Sequence, residues 1–208
     1  MRMLSLLLIF NLVAPAVIVD RVAITVGNKV ITQSEIELRI RLTAFQNGEK
    51  PDFSLASRRQ AAKRLIDQKL VDREMEVGRY PRLDEEQRDG LLAEYAKTNY
   101  KSDAAALGAA LAALALMPED LAGDLARQSE LLTFLSLRFR PAVQVTDQDV
   151  QKYFTEKIKA GDLNEMRAQI EEQLTIERAD KELDAWLQNQ RKTTRIEYAL
   201  KDLEENKE

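Results

Sequence analysis

Val17–Ile36 reads VIVDRVAITVGNKVITQSEI. Val22, Ile24 and Val26 alternate with Ala23 and Thr25, the period of two that sends successive side chains to opposite faces of a strand. Gly27-Asn28 then separates this run from Val30-Ile31, and glycine and asparagine are the residues that tolerate the positive φ of a two-residue hairpin turn. A small hairpin is expected. Thr32 or Ser34 can next supply the side-chain oxygen that satisfies the free N–H groups at the start of a helix, whose apolar face carries Ile36 and Ile40.

Upstream of this block, Met1-Arg2-Met3 is a short positive start and Leu4 to Val13 an apolar run. Ala14-Pro15-Ala16 places small residues where a signal peptidase reads them. The expectation is a signal peptide over residues 1–16, cleaved after Ala16, and export to the periplasm. The apolar run is shorter than the roughly 20 residues of a membrane span, and Asp20 and Arg21 follow it closely.

Downstream, the prolines Pro51, Pro81, Pro118 and Pro141 fall between helical patterns, where a missing N–H does least harm. From about Ser57, Ala62, Leu65, Ile66 and Leu70 continue at helical spacing toward Met75, and Gly78 with Pro81 forms a stop. Asp84 with Gln87 has the spacing of a capping box and opens a helix through Leu91, Leu92 and Tyr95. Leu107, Ala110, Leu111 and Leu114 repeat the spacing after Ser102. Pro118 suits a first helical position, with Glu119 and Asp120 beside the positive end of the helix dipole. The apolar stripe expected for that helix is Leu121, Leu125, Leu132, Leu135 and Phe139. Thr146 to Asp149 is a further capping box, before Val150, Tyr153, Phe154 and Ile158, and Gly161 ends that segment. A long last helix from about Asn164 to Arg191 carries Met166, Ile170, Leu174, Ala179, Leu183, Trp186 and Leu187 on one side.

Arg195 to Leu200 alternates again and reads as a strand. A lone strand needs a partner, and the other strand candidates stand at the opposite end of the chain, so the two termini are expected to pair. The expected fold is mainly α: a single helical lobe, with a small β element formed by the N-terminal hairpin and the C-terminal strand. The lobe spans 17–200, with an N-terminal part over 17–160 and the C-terminal helix and strand over 162–200. Residues 201–208 are read as a frayed charged tail.

Composition narrows the function. The 208 residues include 31 basic and 35 acidic side chains, a formal net charge of −4, which disfavours nucleic acid as the main partner. Arg58, Arg59, Lys63 and Arg64 form the basic patch of note, read as a solvated helix face. With no cysteine, stability rests on packing and not on disulfides. With no histidine, the commonest general base near neutral pH is missing. There is no glycine-rich phosphate loop. Zinc sites lean on Cys and His, and Asp147-Gln148-Asp149 lacks the glycine and terminal Glu of a calcium loop. Adjacent acids such as Glu85-Glu86 and Glu171-Glu172 point to different faces of a helix. No catalytic residue, metal ligand or cofactor is therefore assigned.

The opening block resembles the start of the SurA-type periplasmic chaperones, in which a segment of the form V-x-V-N-x-x-V-I-T-x-S-E-I leads into a helix. In the family's order, Arg64 to Val71 (RLIDQKLV) is similar to its L-I-x-x-x-L-L helix. Leu116 to Leu121 (LMPEDL) is similar to its G-x-S-x-E-D-L turn, although Leu116 and Met117 depart from that pattern. Val145 to Phe154 (VTDQDVQKYF) is similar to its V-T-D-x-E-V-x-x-Y-Y helix. One departure matters more than the matches. In most relatives a parvulin-type peptidyl-prolyl isomerase domain follows the Y-Y helix, whereas here only Thr155 to Asp162 precede the last helix, and a domain needs on the order of 50 residues. Parvulin catalysis also uses histidines that this chain lacks. The resemblance implies a chaperone core without isomerase activity, binding unfolded polypeptides, outer-membrane proteins in particular.

The residues themselves point to binding as well. An ATP-independent holdase needs accessible apolar surface beside a stable core. The candidates for contact with clients are Phe45 near the end of the first helix, Phe53 beside Pro51, Tyr100 between helices, and Leu116-Met117 before Pro118, each of which could equally serve local packing. Methionine adapts its shape to varied partners. The alternative function is a helical structural or adaptor protein docking on one folded envelope partner, with a patch around Trp186 and dimerisation through the last helix.

Overall fold

The computed structural model describes residues 20–204. The expected signal peptide and residues 205–208 lie outside them. Among the described residues the chain is helical with one small sheet, in the order β1 (Val22–Val26), β2 (Lys29–Thr32), α1 (Gln33–Asn47), α2 (Leu55–Val77), α3 (Glu85–Tyr100), α4 (Ala104–Ala112), α5 (Pro118–Arg138), α6 (Asp147–Tyr153), α7 (Leu163–Thr193) and β3 (Ile196–Tyr198).

The hairpin forms where the period-two run predicts it. Gly27 sits at φ +59°, and β1 pairs antiparallel with β2 from Val26 opposite Lys29 to Val22 opposite Thr32. On its other edge β1 pairs antiparallel with β3, Ile24 opposite Tyr198 and Val26 opposite Ile196, so the strand order is β2-β1-β3. The termini meet as expected. Gly27 N–H donates to the Arg195 carbonyl at 2.8 Å, and the Ala23 carbonyl accepts from Ala199 and Leu200.

Every α-helix but α5 starts on a polar cap. Thr32 Oγ1 accepts from Glu35 N–H while the Glu35 carboxylate accepts from Thr32 N–H at 2.8 Å. Asp84 with Gln87 and Thr146 with Asp149 form the same reciprocal pair, each satisfying two otherwise free donors. Pro118 opens α5 with Glu119 and Asp120 in its first turn. Between α6 and α7 the chain runs through one wide helical turn, Phe154–Ile158, and turns at Lys159 and Gly161, both at positive φ. No inserted domain separates them.

Two apolar clusters result. The larger joins the sheet to α2 and α7 through Ile24, Ile31, Ile66, Leu70, Met75, Ala179 and Leu187, with Phe134 at its aromatic centre. Each fully buried side chain of this size stabilises the fold by about 1.5–3 kcal/mol. The smaller cluster packs Leu42 against Leu107, Leu111, Leu116 and Leu121, beneath α3 and α4. α1 and α5 run through both clusters.

Two expectations are corrected. The buried stripe of α5 is Ala122, Ala126, Glu130 and Phe134 with Leu121 and Asp124, whereas Leu132 is 67% exposed. The other members of the expected stripe do face the core: Leu121 and Phe139 are buried, and Leu125 and Leu135 pack against the two clusters. Leu132 alone of the five turns outward, because Glu130 and Phe134 of the i, i+4 row Ala122, Ala126, Glu130 and Phe134 take the inward face there. The charged tail, too, begins later than residue 201. Lys201–Leu203 form a 3-10 turn, Leu203 is buried, and Arg59 donates to the Asp202 carbonyl at 2.8 Å while Arg58 pairs with the Asp202 carboxylate. One apolar residue anchors that turn.

Candidate functional site

A cleft of about 300 Å³ opens where α1, α2, α5 and α7 converge. That volume is at the lower end of the range of small-ligand sites. Its apolar surface comes from Val71 and Met75 on α2, Leu131 on α5, and Leu183 and Leu187 on α7. These helices cannot close over it because charged side chains occupy the contact between α1 and α5.

That polar seam centres on Asp124, which is 1% exposed. Its Oδ1 accepts from Arg39 Nη1 at 2.5 Å and, more weakly, from Arg127 Nη2 at 3.4 Å; its Oδ2 accepts from Gln46 at 3.0 Å and Gln128 at 2.9 Å. Arg39 also reaches Gln68 Oε1 at 3.2 Å. A buried carboxylate is tolerated because its lone pairs are all engaged. The second buried acid, Glu130, accepts from Arg82 at 2.7 Å and from Leu83 N–H at 2.9 Å. Burial works against the charge on Arg82, but its hydrogen bonds to Glu130 and Asp72 outweigh that and raise its pKa above the usual guanidinium value. The segment between α2 and α3 is thereby tied over the cleft's rim. Asp67 is taken up by Arg191 of α7, in a two-pronged pair.

Every carboxylate on the cleft wall thus has a cation. The converse does not hold. Arg64, exposed on the rim, has among the described residues no carboxylate partner and makes one long contact, 3.5 Å to Thr43 Oγ1. Arg127 takes the weakest share of Asp124, and its Nε is buried without an acceptor.

The residues expected to touch clients lie elsewhere. Phe45 and Tyr100 flank Tyr95, with ring centroids 6.2 and 6.4 Å from it, and line the smaller cluster. Leu116, at 4% exposure, belongs to that core and is not a surface residue. Met117, 61% exposed, caps α5 in the open, its N–H donating to Asp120 at 2.8 Å. Phe53 is also exposed. None of the five lines the cleft between α2, α5 and α7.

The cleft residues were present in the sequence as stripe positions. Met75 and Leu187, both buried, and half-buried Leu183 belong to apolar rows, and only the crossing of three helices brings them together with exposed Leu131 on the cleft wall. Asp124, followed at i+3 and i+4 by Arg127 and Gln128, was the one local signal of a polar seam. The basic patch divides: Arg58 and Arg59 hold the C-terminal turn, while Arg64 faces the cleft. Among the described residues no group of three or more acidic side chains is disposed to hold a metal ion, and no helix is long and apolar enough to cross a membrane. Comparison with protein-family models and with curated proteins finds no match.

Proposed function

We propose that this chain is an ATP-independent periplasmic holdase, a SurA-like chaperone core that has no isomerase domain and shields unfolded outer-membrane polypeptides. The observation that carries the reading is the open apolar cleft between α2, α5 and α7, held apart by a polar seam that a simple helical bundle would replace with aliphatic packing. Exposed Leu131, Leu132 and Leu137 extend apolar surface along α5 beyond it. The motif order set out above supports the client class, and the absence of histidine and of a domain-sized insert between α6 and α7 supports a role without catalysis. Binding through a shallow cleft fits weak, reversible capture of extended chain. Trp186, half-buried, is packed edge-on against Phe134 and Phe139 of the larger cluster, which favours a core role over a docking anchor.

The test is suppression of light scattering by an unfolded β-barrel protein diluted from denaturant, without nucleotide. Suppression that rises with chaperone concentration supports the proposal, and scattering unchanged at several-fold molar excess refutes it. A proline-containing peptide assayed in parallel should isomerise no faster than with denatured chain.

A further inference from the structure

The charge balance around the cleft narrows what kind of segment it takes. Asp67, Asp72, Asp124 and Glu130 are all bound to arginines of the fold. Arg64 is left without a carboxylate among the described residues, and Arg127 is held only at 3.4 Å by an acid already saturated by Arg39, Gln46 and Gln128. Both arginines line the same cavity as Val71, Met75 and Leu131. A ligand that fills this cleft meets grease on one side and spare N–H donors on the other, and a planar guanidinium is well matched to a carboxylate.

Resting on the holdase reading, we propose that the cleft selects client segments in which an apolar side chain lies within a few residues of an Asp or Glu, the apolar group entering between α2, α5 and α7 and the carboxylate pairing with Arg64 and Arg127. Side-chain acids are the source to which the proposal commits. An unfolded chain presents many of them but only one terminal carboxylate, so a carrier of extended chain meets them far more often. Lysine-rich segments are disfavoured by the same two cations.

Fluorescence anisotropy on the full chain tests this with dye-labelled, C-terminally amidated decapeptides. One carries a Phe followed two residues later by Glu, a second has Gln in place of that Glu, and a third has the Gln with a free C-terminal carboxylate. The Glu peptide should bind about three- to tenfold more tightly than the Gln peptide at low salt, the size expected of a partly shielded ion pair. The preference should shrink toward one in Arg64→Gln and at 0.5 M salt. Leu131→Glu, placing an acid at the partly exposed wall, should weaken all three peptides. Equal binding of the Glu and Gln peptides overturns the proposal, as does a preference that survives Arg64→Gln together with Arg127→Gln, or one confined to the free-acid peptide. If the Glu and Gln peptides bind equally while aggregation is still suppressed, the holdase reading stands and the acidic preference alone falls.

Discussion

Substituting Arg39 by methionine would leave the Asp124 carboxylate buried with its nearest cation removed. Asp124 is 1% and Arg39 16% exposed, so both belong to the interior. Breaking a buried pair by removing one partner costs about 3–5 kcal/mol, because the remaining charge stays desolvated. Here Arg127 at 3.4 Å and the two glutamine amides remain, which offsets part of that cost. The expected loss for Arg39→Met is about 2–4 kcal/mol. Trp186 is the only tryptophan and packs edge-on against Phe134 and Phe139 in the larger cluster, so its fluorescence reports unfolding directly. With a urea dependence of about 2 kcal/mol per molar, the middle of the usual range, the midpoint should fall by about 1–2 M. Adding Asp124→Leu to Arg39→Met should restore part of the stability, since Gln46 and Gln128 are exposed enough to turn to water. An Arg39→Met midpoint within about 0.3 M of the parent, or a double variant whose loss equals the sum of the singles, would refute the view that the seam is a desolvated, coupled network.

Phe134, fully buried, meets Tyr80, Phe139 and Trp186 at centroid distances of 5.0, 5.6 and 5.8 Å. Phe134→Ala should therefore destabilise by about 3–5 kcal/mol in the same urea assay, and Phe134→Leu by less, the difference measuring the edge-to-face contacts. Gly90 lies inside α3, where an added Cβ would meet open space. Gly90→Ala should raise the melting temperature by about 1–4 °C in calorimetry. The Asp149 carboxyl is held well below the usual carboxylate range by its hydrogen bond from Arg178 and by its cap on Thr146. A depressed folded pKa means that its stabilisation is full above about pH 4, the unfolded value, and fades as pH falls below it. The difference in melting temperature between the parent and Asp149→Asn, measured from pH 7 downward, should be constant to about pH 4 and narrow below it.

Features written in nearest neighbours were legible in the sequence. The hairpin followed from alternation broken by Gly27-Asn28, and the capping boxes at Asp84 and Thr146 followed from an oxygen-bearing residue three positions before an acceptor. Pairing of β1 with β3 followed from the lack of any other partner. The cleft was not legible, because Met75, Leu131, Leu183 and Leu187 lie on three helices separated by loops, and their meeting on one wall depends on the angle at which those helices cross. Leu132 was placed on the wrong face because hydrophobicity alone was followed, while the buried positions on either side of it in α5 are Glu130 and Phe134. Leu116 and Leu203 were read as outlying, and both are core. In each case the neighbours that bury the side chain come from distant segments: α4 for Leu116, and the sheet with α2 for Leu203.

The last ten described residues shape the cleft without lining it. β3 adds to the free edge of β1, and Leu200 and Leu203 then enter the larger cluster while Arg58 and Arg59 hold Asp202. This anchors the C-terminal end of α7, and Arg191 of the same turn pairs with Asp67 while Arg73 donates to Gln190 at 2.7 Å. α7 is thus fixed against α2 at one end, with Leu187 about one turn and Leu183 about two turns before those ties. At the other side α5 is kept at its distance by the Arg39–Asp124 seam, whose polar side chains cannot be compressed into apolar packing without losing their hydrogen bonds. One wall is therefore set by strand pairing between chain termini and the other by a buried ion pair. Because these two devices are separate in sequence and in chemistry, weakening either one should change the cleft's width before it unfolds the lobe.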